Sequence, residues 1–183
     1  SDLPFRAIIL LRPDIGIALA SFFNSTMVTH RNRFGLKLYL HRNSGGYHFS
    51  PERAGFVAKL PEGYEIYEHP SGQVFLRKQK TLKWEPQEIE TIEAHLHSLP
   101  VLDTWLDAAG DEAHLWVGPA EDEEVSTWWR KYPSEAAAKA AGRSRWEYRK
   151  ILTLRKGQTI TVYQNEEAID RGPLKALLKQ YGL

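Results

Sequence analysis

Four glycine-bearing turns punctuate this chain, and each is flanked by short runs whose side chains alternate in character with a period of two. That pattern commits a large share of the chain to β-hairpins, because successive strand residues point to opposite faces and only turn residues can reverse the direction. In the first hairpin, Leu36, Leu38 and Leu40 alternate with Lys37, Tyr39 and His41 ahead of Asn43-Ser-Gly-Gly46, a turn tolerant of positive φ. The second runs from Tyr64 to Glu68, turns at His69-Pro-Ser-Gly72 and returns through Val74 to Lys78. The third pairs Thr104 to Asp107 with Ala113 to Val117 across Ala108-Ala-Gly-Asp111. The fourth takes Tyr148 to Leu154 through Arg155-Lys-Gly-Gln158 into Ile160 and Val162, which alternate with Thr159, Thr161 and Tyr163.

Helical signals follow these hairpins. Ser50-Pro-Glu52 has the form of an N-cap with Pro in the first turn, and Phe56 and Leu60 lie four apart. After Pro86, Ile89, Ile92, Leu96 and Leu99 recur at helical spacing, with Glu88, Glu90 and Glu93 largely on the other side. Ser134 caps a run of strong helix formers closed by Gly142, and a last helix after Gly172-Pro173 aligns Leu174, Leu177, Leu178 and Tyr181. The turn glycines Gly45, Gly72, Gly110 and Gly157 are 27, 38 and 47 residues apart, so the arrangement recurs without the fixed period of a solenoid. The expected class is α+β: antiparallel sheet built from repeated hairpin-plus-helix units, with helices covering one face. For Ile15 to Phe23, periodicity leaves helix and buried strand both open.

At 183 residues the chain has the size of one domain, with 1–84 and 85–183 as possible sub-units, and its 42% apolar content suits a packed core. The absence of cysteine excludes disulfides, thiolate metal sites and a Cys nucleophile, and fits a cytoplasmic protein. The most apolar stretch, Ala7 to Phe23, is broken by Arg12-Pro-Asp14, so neither a membrane-spanning helix nor a cleavable signal peptide is expected, and no membrane partner.

Charge is sorted along the chain. Residues 1–84 carry twelve basic and six acidic groups, residues 85–129 carry twelve acids and no Lys or Arg, and residues 130–183 carry twelve basic and five acidic groups. Phosphate backbones are read by Lys and Arg, and unpaired bases stack on aromatic rings. The candidate contact surface is therefore the basic, aromatic-interleaved segment with Trp129, Arg130, Lys131, Arg143, Arg145, Trp146, Arg149, Lys150 and Lys156. Arg143, Arg145, Arg149 and Lys150 are expected to meet phosphates, and Trp146 or Trp129 to stack. A second basic stretch, from Ile15 to Pro51, holds Arg31, Arg33, Lys37 and Arg42 with three His and no acid. The competing account makes all of these solvated faces, balanced in space by the acidic block.

The acidic block admits two roles. Glu90, Glu93, Asp103, Asp107 and Asp111 are the side chains that could hold a hard cation for phosphodiester hydrolysis, although no Glu-x-Lys pairing accompanies them. Alternatively, the block docks a basic protein partner or the basic flanks of a second copy. Among the histidines, Glu93 and His97 are one helical turn apart, and His41 and His48 flank the first hairpin turn. The chain has no Gly-rich phosphate loop, no Gly-x-Ser-x-Gly elbow and no His-Glu-x-x-His, so nothing nominates a catalytic residue, a metal site or a cofactor.

Leu60-Pro-Glu-Gly-Tyr-Glu-Ile-Tyr-Glu-His-Pro-Ser-Gly-Gln-Val-Phe-Leu-Arg-Lys78 resembles a segment of uncharacterised bacterial proteins with no assigned activity, a resemblance that brings no function. It is also similar to the first hairpin of a WW domain in Leu60-Pro61, Gly63, Pro70, Gly72 and Phe75, with Tyr64 in place of the first Trp and Trp84 near Pro86. Leu76 stands where that family has an aromatic, and the final Trp falls early. The likeness implies a groove for proline-rich peptides lined by Tyr64, Phe75 and Trp84.

The leading expectation is thus a non-catalytic nucleic-acid-binding protein for DNA or RNA. The alternatives are a protein-interaction or self-associating module and a metal-dependent nuclease.

Overall fold

The structure is a computed structural model that describes residues 27–120 and 132–182. The segment Ile15 to Phe23, the Trp128-Trp129 pair, Arg130 and Lys131 lie outside the described residues. The class is α+β. Ten strands form three antiparallel sheets, joined by three helices, among the described residues.

The first sheet has the order β1 (Thr29–Arg31), β2 (Lys37–Asn43), β3 (Gly46–Ser50). The second is the hairpin β4 (Tyr64–Glu68) with β5 (Val74–Lys78). The third is a five-stranded meander, β6 (Thr104–Ala109), β7 (Glu112–Val117), β8 (Arg149–Lys156), β9 (Ile160–Gln164) and β10 (Glu167–Gly172), each strand beside the next. All four hairpins read from the sequence form, but they are distributed over three sheets, and the first and fourth do not share one.

Helix α1 (Pro86–Leu96) starts as its sequence dictates. Pro86 occupies the first turn, and Glu85 and Glu88 exchange the reciprocal bonds of a capping box. In α2 (Glu135–Ala140), the Ser134 hydroxyl accepts from the Ala137 N–H at 3.1 Å. Helix α3 (Leu174–Gln180) follows Pro173. Ile92 and Leu96 from α1 and Leu177 and Leu178 from α3 join Ala113, Leu115, Leu152, Leu154, Ile160 and Val162 of the five-stranded sheet in one buried cluster with Trp84. The buried Ala138 of α2 is not part of that cluster.

The helix expected after Ser50 does not form. Gly55 adopts φ +77°, which interrupts a right-handed helix, and the Ser50 hydroxyl folds the chain back by accepting from the Glu52 N–H at 3.1 Å. The buried His41 ring faces the Glu52 carbonyl at 2.9 Å and the Gly55 carbonyl at 3.2 Å, and Val57 N–H donates to Leu40 O at 2.7 Å. Tertiary hydrogen bonds thus take the carbonyls that a helix would have used. Strands β1 and β10 carry no alternating signal in the sequence. β10 exists because Asn165 and Glu166 both take positive φ, 49° and 70°, closing a tight hairpin after β9. Between Ala168 and Asp170 its register shifts, leaving Ile169 exposed.

A buried amide is central to the join between the first sheet and the rest. Asn32 is 3% exposed, and its Nδ2 donates to Gly72 O at 2.9 Å and to Gly142 O at 2.6 Å. Its Oδ1 accepts from Phe34 N at 3.2 Å and Leu36 N at 2.9 Å. The side chain therefore uses all four of its bonding positions to fasten the β1–β2 turn to the β4–β5 turn and to the end of α2. The approach is close enough to require glycine: a Cβ on Gly142 would lie 2.3 Å from the Leu36 side chain, and one on Gly72 would lie 2.6 Å from Phe34.

Two stability predictions follow from this architecture. Asn32→Ala takes the side-chain partner from the Gly142 carbonyl and from the Phe34 and Leu36 amides, while Gly72 O keeps Arg143, and is expected to cost about 3 kcal/mol in urea unfolding. Glu166→Gly relieves a side chain held in the left-handed region and is expected to stabilise by about 0.5 kcal/mol, the strain relief outweighing the lost chain stiffness. A lower melting temperature for Glu166→Gly would contradict the assignment of that turn.

Candidate nucleic-acid interface

The segment from Arg143 to Lys156 is partly absorbed by the fold. Arg143 Nη1 donates to Gly72 O at 2.7 Å, adding a second bond to the carbonyl that Asn32 holds. Lys156 pairs with Glu88 of α1. Arg145 is half-buried with its guanidinium 4.9 Å from the Trp146 ring centroid. Arg149 opens β8 opposite Val117, and Lys150 is exposed opposite Trp116, its ammonium 6.0 Å from that ring. Trp129, Arg130 and Lys131 are outside the described residues.

The acids meet cations supplied by the flanks. Asp103 takes Arg33 at 2.6 Å and the Tyr148 hydroxyl. Asp107, on β6, accepts two bonds from Arg77 Nη1 at 2.8 and 2.9 Å, while Arg77 Nε binds Glu65 at 2.6 Å. Glu112 holds Arg155 at 2.6 Å, and Lys80 and Lys83 approach Glu112 and Asp111 at 3.6 and 3.9 Å. The third hairpin is therefore neutralised by residues from both basic flanks. Asp103, Asp107 and Asp111 are each turned to a cation of the chain, and among the described residues no three His, Asp or Glu groups converge to hold a metal ion.

This pairing shifts titrations. Burial and the nearby Asp107 carboxylate push the Tyr67 phenol up to about 12, against the opposing pull of Arg77. Burial of Glu88 opposes ionisation, but the Lys156 ammonium and the Glu85 N–H outweigh it, and the carboxyl stays below its ordinary 4.5. The Arg155 bond likewise holds Glu112 below 4.5, against a smaller effect of burial.

Trp84 is 3% exposed and sits in the core, so it cannot line the peptide groove implied by the WW-domain likeness. Tyr64 and Phe75 are exposed but occupy register positions on opposite faces of the β4–β5 hairpin. Compared with protein-family models, curated proteins and solved structures, the chain matches none. Among the described residues, no helix is long and apolar enough to cross a membrane.

One basic surface keeps its charge. In the first sheet, Arg31 lies directly opposite Lys37, Thr29 opposite Tyr39, Tyr39 opposite Ser50 and His41 opposite His48, so these side chains share a face. Arg31, Lys37 and His48 are exposed, and Lys37 lies 5.4 Å from the half-buried Tyr39 ring. Arg31 donates to Gly35 O at 2.7 Å, but among the described residues no carboxylate pairs with Arg31 or Lys37. Like charges directly opposed across two strands cost stability. The opposite side of β2 is different: Leu38 and Leu40 are buried, and His30, opposite Leu38, bonds Glu68 at 2.7 Å. This face was half-legible in the basic stretch from Ile15 to Pro51, but its sharpest feature depends on β1.

The depressed carboxylates give a signed pH dependence. Glu88 and Glu112 release protons more readily folded than unfolded, so their contribution is complete above pH 4.5 and is lost as pH falls through the lower folded values. Urea midpoints measured from about pH 6 to about pH 3 should decline, and Arg155→Met with Lys156→Met should flatten part of that decline.

Proposed function

We propose that the protein is a non-catalytic nucleic-acid-binding protein that takes single strands on the outer face of its three-stranded sheet. The observation that carries the reading is the Arg31–Lys37 pair beside Tyr39 and His48, which no carboxylate among the described residues compensates. A like-charged pair held on neighbouring strands is relieved when a polyanion arrives, and strand backbones keep both cations and the ring in a fixed array. Sheet faces with this combination suit unpaired bases, which present a ring face as well as a phosphate. Arg42, 5.5 Å from the exposed Tyr47 ring, lies by register on the opposite face of the hairpin, with Leu38 and Leu40, and is not part of this array. The ion pairs of Asp103, Asp107 and Glu112 within the chain leave those carboxylates less available for self-association, which favours this reading over a module that docks to its own copy.

The test is fluorescence anisotropy with single-stranded RNA and DNA oligonucleotides across a salt series. Binding should weaken steeply with salt, and Arg31→Ala and Lys37→Ala should each lower the slope by about 0.7, the share of one phosphate contact to a single strand. Tyr39→Ala should weaken binding by about tenfold with little change of slope, as expected for a lost stack. Lys37→Thr should also stabilise the free protein by a few tenths of a kcal/mol, roughly, by removing the like-charge contact. A flat response with single- and double-stranded oligonucleotides at low salt would overturn the proposal.

A further inference from the structure

The five-stranded sheet carries a separate feature. Its side away from the buried cluster bears Asp107 on β6, Glu112 and His114 on β7, Thr153 and Arg155 on β8 and Tyr163 on β9, fixed by the register Asp107 to His114, His114 to Thr153 and Thr153 to Tyr163. Over β7 to β9 this side sinks into a hollow of about 670 Å³, lined by His114, Lys150, Thr153 and Tyr163 and, at the β9–β10 turn, by Asn165 and Glu166. That volume suits a small organic molecule rather than a bare ion.

We propose that this hollow binds a small phosphate monoester, of nucleotide size, whose phosphate is held by Lys150, the Thr153 hydroxyl and the His114 imidazole. Lys150 makes no ion pair with a carboxylate among the described residues, and its nearest aromatic contact is the Trp116 ring. His114 Nδ1 bonds Thr153 Oγ1 at 2.9 Å, which fixes the ring and leaves the other nitrogen toward Glu112, 3.8 Å away. Glu112 is already engaged by Arg155 and Lys80, and Asp107, the neighbour of His114 on β6, by Arg77. The remaining acid, Glu166, stands exposed on the turn at the rim.

Burial and the nearby Lys150 charge both hold the imidazole below its usual range, opposed by Asp107 and Glu112. A phosphate between the two groups reverses the repulsion, so it binds together with a proton on His114. The coupling distinguishes this site from the basic sheet face, whose buried imidazole, His41, lies against the Glu52 and Gly55 carbonyls.

The experiment is calorimetry with inorganic phosphate and adenosine monophosphate, in two buffers of different ionisation heat, with His114 followed by NMR. Adenosine monophosphate should bind with proton uptake and a raised His114 pKa. Lys150→Ala should weaken it at least about tenfold, and Glu166→Gln should strengthen it. Thr153→Val should weaken binding while Lys37→Ala leaves it unchanged, which separates this site from the nucleic-acid face. The proposal is overturned if neither probe binds at millimolar concentration, or if binding persists unchanged in Lys150→Ala with no proton uptake.

Discussion

The placement of the first sheet rests on one buried amide. Asn32 satisfies two carbonyls and two amide N–H groups from three separate segments, and a side chain with fewer or differently disposed groups leaves some of them unpaired in the interior. Gly72 and Gly142 are the complementary constraint, because each brings its carbonyl to Asn32 with no room for a Cβ. The next residue continues the work: Arg33 binds Pro70 O at 3.2 Å and Asp103 at 2.6 Å, with its guanidinium 4.7 Å from the Trp105 ring. Two adjacent residues of the β1–β2 turn thus tie the first sheet to the β4–β5 hairpin and to the start of the five-stranded sheet.

Sorting of charge along the chain becomes mixing of charge in space. Arg77, from the first basic flank, and Arg155, from the second, reach acids on neighbouring strands of one hairpin, Asp107 on β6 and Glu112 on β7. Exposed ion pairs are individually weak, about 0–1 kcal/mol each, but the partly buried Arg77–Asp107 pair also excludes alternatives, since either group alone would be left desolvated. Among the described residues, the pairing does not reach Arg31 and Lys37 on the outer side of the three-stranded sheet.

The hairpins and the three helices that formed were legible because their signals are local: period-two alternation, turn residues and caps lie within a few positions of one another. The β4–β5 hairpin was readable to its ends for this reason. The segment after Ser50 had equally local helix signals, yet His41 and Leu40, remote from it in the chain, captured its backbone. The interface was less legible. Arg143 and Lys156 resemble their exposed neighbours in composition, but their partners are 71 and 68 residues away, and no spacing rule connects them. Arg31 opposite Lys37 was hidden likewise, because three residues without alternation do not announce a strand.

The ends of the five-stranded sheet have a consequence for the protein in a crowded solution. A free sheet edge is a template onto which any extended chain can add, the first step toward fibrous aggregates. At one end, β10 breaks its register at Ile169, so its outward hydrogen-bonding row does not run straight. At the other, β6 is faced by the β4–β5 hairpin through Arg77 and Asp107, and the Lys83 N–H takes the Gly110 carbonyl just beyond it. The salt-bridged hairpin and the irregular last strand together make the sheet finite.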